Sequence, residues 1–554
     1  MPDRAKWAPR LLVLSLALGG LRDPRLFAVA GTAAWAAVWL ERPPVGPAAA
    51  WLPWLGWALM STLVSSQPLA GLPVLARWST VLACASLAGA WTARQREVWL
   101  RSFLAVAVIL GVAALATGAG RDWTNAMTGL IPPYYNYSAF VLAAAAAASA
   151  AWILHPRGAR GLDRIGAGAV AALSLTCVVL ARSRGAWLGL GVGAVLWTAR
   201  RWGPRATMPI ALAAALFAAG LMSGRLPSSV EAILFKKYRI HAEARPRLWL
   251  AAAGVATDRP LVGTGPGNFA VGFRRRPAAY EDGGARWAMS TDYAHSEPLQ
   301  AAAETGWAGL ALWLLGAGAA MLALFRRADE DPVREAAAAA AAAMTAQLLS
   351  DNMLQIPALA ALWLSALTLA SAPPAGAKRT WPRMAALLGA TLAAISWISG
   401  VLAASGPERA AALFPADPGP REDLAYKAMA AGDTAEAERQ WARARSLAPF
   451  DAIYPWRLAQ LAAAAGRWEE AERLAANALA LEPGFLEARL VRVEALVRLG
   501  RVSEARAALG ELRGMLVGHQ DVMWGSGYER AVSRFDSRDF DRLAALAGRP
   551  PLRP

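Results

Sequence analysis

The sequence predicts an all-α protein in two parts, a polytopic helical bundle in a membrane followed by a helical array outside it. Three observations carry this expectation. The 554 residues are 56% hydrophobic and only 18% charged, with mean hydropathy +0.31, too apolar for an ordinary soluble multidomain chain. Apolar runs of membrane-crossing length recur up to about residue 403, and from Arg421 onward the composition turns alanine-rich with mixed charge and acquires an internal period.

A spanning helix needs about 20 mostly apolar residues, and as few as about 17 suffice. Runs that fit lie at roughly 8–21, 25–40, 48–65, 72–92, 99–117, 136–154, 165–182, 185–199, 207–222, 299–325, 334–350, 354–371 and 382–403, for a total of about 12 or 13. Arg4, Lys6 and Arg10 before Leu11–Leu18 fit the start of a cleaved signal peptide and equally a retained first span.

The arginines then set the topology. Arg94, Arg96 and Arg101, then Arg157, Arg160 and Arg164, then Arg200, Arg201 and Arg205, then Arg326 and Arg327, and then Lys378, Arg379 and Arg383 occupy every second link, which makes those links cytoplasmic. The alternate links, including 182–184 and the long polar stretch 223–298, are expected to face outward, as is everything after Leu402. The net charge of +17 is therefore mainly topological, and no nucleic-acid partner is expected. Cys84 and Cys177 both fall in apolar runs and read as small hydrophobic residues.

In the last part of the chain Gly432, Gly466 and Gly500 stand 34 residues apart, as do Ala437, Ala471 and Ala505, and Pro449 and Pro483 repeat the interval. That period, with glycine at a turn, small residues where helices touch and proline after the second helix, resembles tetratricopeptide helix pairs. The resulting division is 1–222 and 299–404 as membrane helices, 223–298 as an extracytoplasmic loop carrying the chemistry, 421–516 as repeats, and 517–554 as a cap or partly disordered tail.

Within 223–298 the chemistry-bearing groups concentrate. His295 stands where the loop re-enters apolar sequence, with Asp292 and Glu297 near enough in sequence to orient an imidazole. A neutral imidazole can take a proton from an attacking hydroxyl; the plainer reading is a histidine bonded to loop backbone. Arg182 and Arg184 lie between two apolar runs on the side that disfavours arginine, where guanidinium calls for an anionic partner such as phosphate; the plainer reading is a snorkelling pair. Arg77, inside an apolar run, is a weaker phosphate candidate. Arg245 and Arg247 precede a loop helix, Leu248–Val255, where the macrodipole opposes positive charge, a mismatch that favours a functional role and makes both of them phosphate candidates; the plainer reading is a solvated helix start. Gly263, Gly265 and Gly267 read as a tight turn, since no Gly-Lys-Ser/Thr follows.

Taken in order, Ser183-Arg184-Gly185-Ala186-Trp187, Arg247-Leu248-Trp249, Pro260-Leu261-Val262-Gly263-Thr264-Gly265-Pro266-Gly267-Asn268-Phe269, Ala294-His295-Ser296-Glu297 and Glu304-Thr305-Gly306-Trp307 resemble the O-antigen ligase and polymerase superfamily. The resemblance implies a GT-C-like membrane fold and a metal-independent, inverting glycosyltransferase with no cofactor. Such enzymes move a glycan from undecaprenyl pyrophosphate to an acceptor hydroxyl on the outer face of the bacterial cytoplasmic membrane. Carried over by position, Arg184 and Arg247 match the arginines that hold the donor pyrophosphate, and His295 matches the histidine that activates the acceptor. Arg77 matches an early-helix basic residue only roughly, and Asn136 is similar to an asparagine that follows an outer loop. Ser296 departs from the asparagine that often follows the histidine.

The acceptor can be a lipid, a growing polysaccharide or a protein, so ligase, polymerase and protein oligosaccharyltransferase stay open. Membrane lipids surround the bundle, and the repeats offer a surface for a protein partner. Two other classes compete: a transporter of lipid-linked glycan, in which His295 has no obligatory role, and a scaffold working through its repeats.

Overall fold

The structure is a computed structural model and describes residues 7–119, 127–132, 134–203, 205, 207–209, 211–212, 240–279, 286–287, 291–325, 331–371, 380–518 and 527–548. Among these residues the regular structure is helical, with two isolated β-bridges, Pro44 with Thr380 and Ala279 with Trp287. Six helices are long and apolar enough to cross a membrane: Pro68–Gly89, Ala93–Gly118, Tyr135–Leu154, Gly161–Ala181, Glu297–Leu322 and Arg383–Ala404. The chain is an all-α, multi-pass membrane protein. Among the described residues Trp7–Ala17 and Pro357–Ala370 are apolar but shorter than a full bilayer crossing requires. The run expected at 207–222 lies largely outside the described residues.

One helix organises the membrane part. Pro332–Leu348 carries the uninterrupted alanines 336–343, and it packs against both Tyr135–Leu154 and Arg184–Trp202. Small residues let the backbones close up: a Cβ added to Gly193 would stand 2.7 Å from the Ala343 backbone. Apolar side chains gain no hydrophobic drive by leaving lipid, so close packing of this kind holds membrane helices together. At one end of the layer Arg200 pairs with Glu335 at 3.2 Å and Arg96 with Asp331 at 2.8 Å. Arg184, Asn136 and Asp351 lie at the opposite ends of the same helices. Within the same core lies the fully buried Trp51, whose ring meets Trp54, Trp78, Trp313 and Trp363 at centroid separations of 5.4–6.5 Å; each such pair contributes about 0.5–1.5 kcal/mol beyond burial.

The helix Glu297–Phe325 is broken at Gly306 (φ 73°, ψ 176°). A break in a membrane helix frees backbone groups that must find partners, and the glycine-rich turn supplies them. Thr264 N–H donates to the Ala303 carbonyl at 3.0 Å, Gly265 N–H to Glu304 at 2.8 Å, and Trp307 N–H to Pro260 at 2.7 Å. Trp57 Nε1 donates to both Thr305 and Leu261 carbonyls. Gly263, at φ +63°, lies so close that a Cβ would collide with the Glu304 backbone. The turn reading holds, and the Thr264 and Gly265 amides are consumed by the helix.

The C-terminal part stacks three helix pairs, Gly419–Ala430 with Thr434–Leu447, Ile453–Ala464 with Trp468–Leu481, and Leu486–Arg498 with Val502–Gly518. Gly432, Gly466 and Gly500 make the turns at φ between 73° and 78°, and Ala437, Ala471 and Ala505 are each 0% exposed at the helix contacts. The tetratricopeptide spacing thus maps one to one onto the turns and contacts. Ser537–Leu546 packs on Leu486–Arg498 and covers the end of the array; residues 519–526 and 549–554 of the expected tail lie outside the described residues. The array also docks back on the loop: Glu482 accepts from the backbone N–H groups of Arg286 and Trp287, Trp287 packs on Phe450 at 5.1 Å, and Arg274 pairs with Asp417 at 2.9 Å.

Candidate functional site

The site gathers where helix ends meet. Ser183 N-caps the helix Arg184–Trp202, accepting from Ala186 N–H, and its hydroxyl donates to Asn136 Oδ1 at 2.9 Å. Asn136, in the first turn of Tyr135–Leu154, donates to Asp351 Oδ1 at 3.4 Å. Asp351 follows the alanine-rich helix and receives Arg245 at 2.7 Å. Gly185 is required beside it, because a Cβ there would come within 2.5 Å of Asp351 Oδ2. Arg184 is exposed, interacts electrostatically with Arg245 and Asp351, and has no hydrogen-bond partner among the described residues.

His295 closes the other side, lining a cavity of about 110 Å³ with Tyr134, Asn136, Tyr137, Asp292, Asp351 and others. Its backbone sits in the left-handed region at φ 51°, sparsely populated for a non-glycine residue. The conformation is held from three sides: Trp249 Nε1 donates to the His295 carbonyl at 3.0 Å, Ser296 N–H donates to Asn352 Oδ1 at 3.1 Å, and Ala294 N–H donates to Gln300 Oε1 at 2.7 Å. Burial, and then repulsion from Arg245, push the imidazole down to about 4, so it is neutral near pH 7. Burial pushes the Asp351 carboxyl up to about 6 against the opposing pull of Arg245.

The other expected residues are placed as follows. Arg245 and Arg247 do not begin a helix; Ile240–Asp258 already runs past them with Pro246 inside it, which removes the macrodipole argument made for them. Two residues apart on one helix, they diverge: Arg245 reaches Asp351, whereas Arg247 donates to the Ala279 carbonyl at 2.9 Å and does not line the His295 cavity. Arg182 caps Gly161–Ala181 in the left-handed region at φ 49°. Arg77 is buried and donates to Gln355 Oε1 at 2.9 Å and to the Gln355 carbonyl at 3.3 Å. Glu297 accepts from Leu354 N–H at 2.7 Å, and Asp292 is an exposed wall of the cavity. Neither carboxylate bonds the imidazole among the described residues.

These geometries fall largely within one segment of the chain. Residues 169–314 match the O-antigen ligase family. That domain holds Arg184, Arg245, Arg247, His295 and Glu297 and stops short of Asp351 and Asn352, which reach the site from the next helix pair. Residues 462–516 match a tetratricopeptide repeat. No curated protein sequence matches the chain. The two matches, with six helices of membrane-crossing length among the described residues, agree with the superfamily and the appended repeats that the motifs suggested.

Sequence reasoning did not name Asp351 or Asn352. The signal was present, since a carboxylate and an amide stand in the three-residue link 351–353 between apolar runs, on the side that the arginine pattern assigns to the exterior.

Proposed function

We propose that the chain is a glycosyltransferase of the O-antigen ligase type, moving a glycan from undecaprenyl pyrophosphate to an acceptor hydroxyl on the outer face of the bacterial cytoplasmic membrane, with inversion at the anomeric carbon. The observation that carries this reading is the convergence of two guanidinium groups, Arg184 and Arg245, with a neutral imidazole, His295, at one end of the helix layer. Arg245 takes the donor-binding role that the resemblance assigned to Arg247.

In this mechanism the acceptor hydroxyl attacks the anomeric carbon and its proton passes to His295. The bond from that carbon to the pyrophosphate oxygen breaks, and undecaprenyl pyrophosphate departs with the electron pair. Arg184 and Arg245 neutralise the charge that develops on it, in fixed positions that need little reorganisation. An imidazole held near 4 is a weak base. Burial is the larger cause and persists, but pyrophosphate bound to Arg245 offsets the second, the repulsion from that arginine, and so raises the basicity of His295 in part. The ordered backbone around His295 keeps the ring in place through these changes of charge.

The test is transfer in proteoliposomes from an undecaprenyl-pyrophosphate-linked oligosaccharide to a panel of lipid, saccharide and peptide acceptors, with and without chelator. New glycosidic product that survives chelation and is lost in His295→Ala supports the reading, and the acceptor used separates ligase, polymerase and protein transferase. Movement of the donor across the bilayer without a new bond would replace the reading with transport.

A further inference from the structure

The face of the helix Ile240–Asp258 that points away from His295 forms part of a second cavity. Arg247, Leu250, Ala251 and Gly254, spaced along one helical face, line a space of about 660 Å³. Arg275, Arg276 and Trp287 of the loop and Phe450 of the repeat array complete it. Trp249 and Arg245 occupy the opposite face, on the His295 side. The same helix therefore separates two cavities, and Phe450 of the repeat array forms part of the wall of the second.

Its lining has a definite chemistry. Among the described lining residues three are arginines, Arg247, Arg275 and Arg276, and none is acidic. Arg276 is offset by an exposed pair with Asp258 at 2.6 Å, while Arg275 is exposed to the cavity. Opposite them, Trp287 and Phe450 present a tilted pair of rings at 5.1 Å. Planar guanidinium recognises carboxylate and phosphate in a bidentate manner, and aromatic faces suit the C–H surface of a sugar ring. The volume lies in the range of small-ligand sites.

We infer that this cavity binds a segment of an acidic glycan, with its carboxylate or phosphate substituents on Arg247 and Arg275 and a sugar face against Trp287 and Phe450. The repeat array thereby acts as one wall of a saccharide site. The site is separate from the donor pyrophosphate site, and its occupancy does not depend on transfer chemistry.

The experiment is calorimetric titration of the full-length protein in neutral detergent with oligogalacturonate, a matched neutral oligosaccharide, inorganic pyrophosphate and phosphatidylglycerol micelles. The expected result is binding of oligogalacturonate that weakens with salt, about tenfold weaker in Arg275→Gln as for one lost charge-assisted contact, and similarly weaker in Phe450→Ala. Because Arg275 is exposed, its substitution leaves folding intact, which thermal unfolding checks. Arg184→Gln should leave this binding unchanged, so a failed transferase reading would be visible separately. Equal binding of the neutral oligosaccharide, competition by phosphatidylglycerol, or unchanged affinity in both Arg275→Gln and Phe450→Ala would overturn the inference.

Discussion

Arg245 donates to Asp351 at 2.7 Å from a side chain that is 22% exposed to one that is 2% exposed, and this asymmetry decides what each substitution does. Arg245→Gln strands a buried carboxylate, at a cost of up to about 3 kcal/mol that grows as pH rises and the group ionises. Asp351→Asn leaves a guanidinium that can turn toward solvent and costs about 1 kcal/mol. Thermal unfolding of both variants at pH 8 should show the larger drop in Tm for Arg245→Gln; equal drops would contradict the asymmetry.

The same helix separates two arginines that the sequence places side by side. Arg245→Gln should reduce glycan transfer by roughly 100-fold or more, the loss expected when one group stabilising developing charge is removed. Arg247→Gln, facing the Ala279 carbonyl, should retain transfer from a short donor at saturating concentration. Initial rates with both variants in proteoliposomes decide between the two assignments.

The titration of His295 gives a signature in the rate profile. With the imidazole held at about 4 in the free protein, the acid limb of kcat/KM should fall near pH 4, well below an ordinary histidine. The acid limb of kcat should lie higher, because bound pyrophosphate offsets Arg245. Stability should show two opposed slopes. Between about 4 and the unfolded value of 6.5 the native His295 holds fewer protons than the unfolded chain, so its contribution rises with pH. Asp351, raised from 3.8 to about 6, holds more, so its contribution falls with pH over that window. His295→Ala should expose the falling slope, and Asp351→Asn the rising one.

Glycines with the same backbone conformation should differ in cost. Gly263 and Gly466 have φ of +63° and +73°, but a Cβ on Gly263 collides with the Glu304 backbone whereas one on Gly466 meets nothing. Gly466→Ala should cost about 1–2 kcal/mol from left-handed backbone alone. Gly263→Ala should cost more and reduce transfer as well, since the joint at Gly306 carries the segment leading back to His295. Thermal unfolding and transfer rates measured on both variants check the contrast.

Glu482 holds the backbone of Arg286 and Trp287. Glu482→Ala should therefore speed tryptic cleavage after Arg286 in the folded protein, and unchanged cleavage would argue against a tight dock between loop and array.

The parts legible in the sequence were those written in local spacing. The 34-residue interval named the turns Gly432, Gly466 and Gly500 and the buried alanines without any tertiary information, and apolar run length located the helices. Arg184 and His295 were visible because an arginine on the disfavoured side and a histidine at a membrane re-entry are anomalies in one short window. Which of Arg245 and Arg247 reaches Asp351 was not legible, because facing depends on helical phase, and the helix begins earlier than the charge pattern implied. Asp351 was hidden for another reason: its partners at 136, 184 and 245 are remote in sequence, and only the packing of the alanine-rich helix between its neighbours brings them together. The break at Gly306 is equally non-local, since its stability comes from a turn some forty residues upstream.

The order in which that packing layer is synthesised has its own consequence. Asn136 and Arg184 leave the ribosome first, then Arg245 and His295, and Asp351 last of the set. The two earlier helices that the alanine-rich one packs on, Tyr135–Leu154 and Arg184–Trp202, already touch each other and are joined by the Ser183–Asn136 bond. A nascent chain halted in the link before Pro332 therefore contains every residue expected to touch the donor, yet it lacks the carboxylate that gathers them. On the proposed reading the site gains its buried carboxylate only when this helix arrives, since Asp351 is what Asn136 and Arg245 bond.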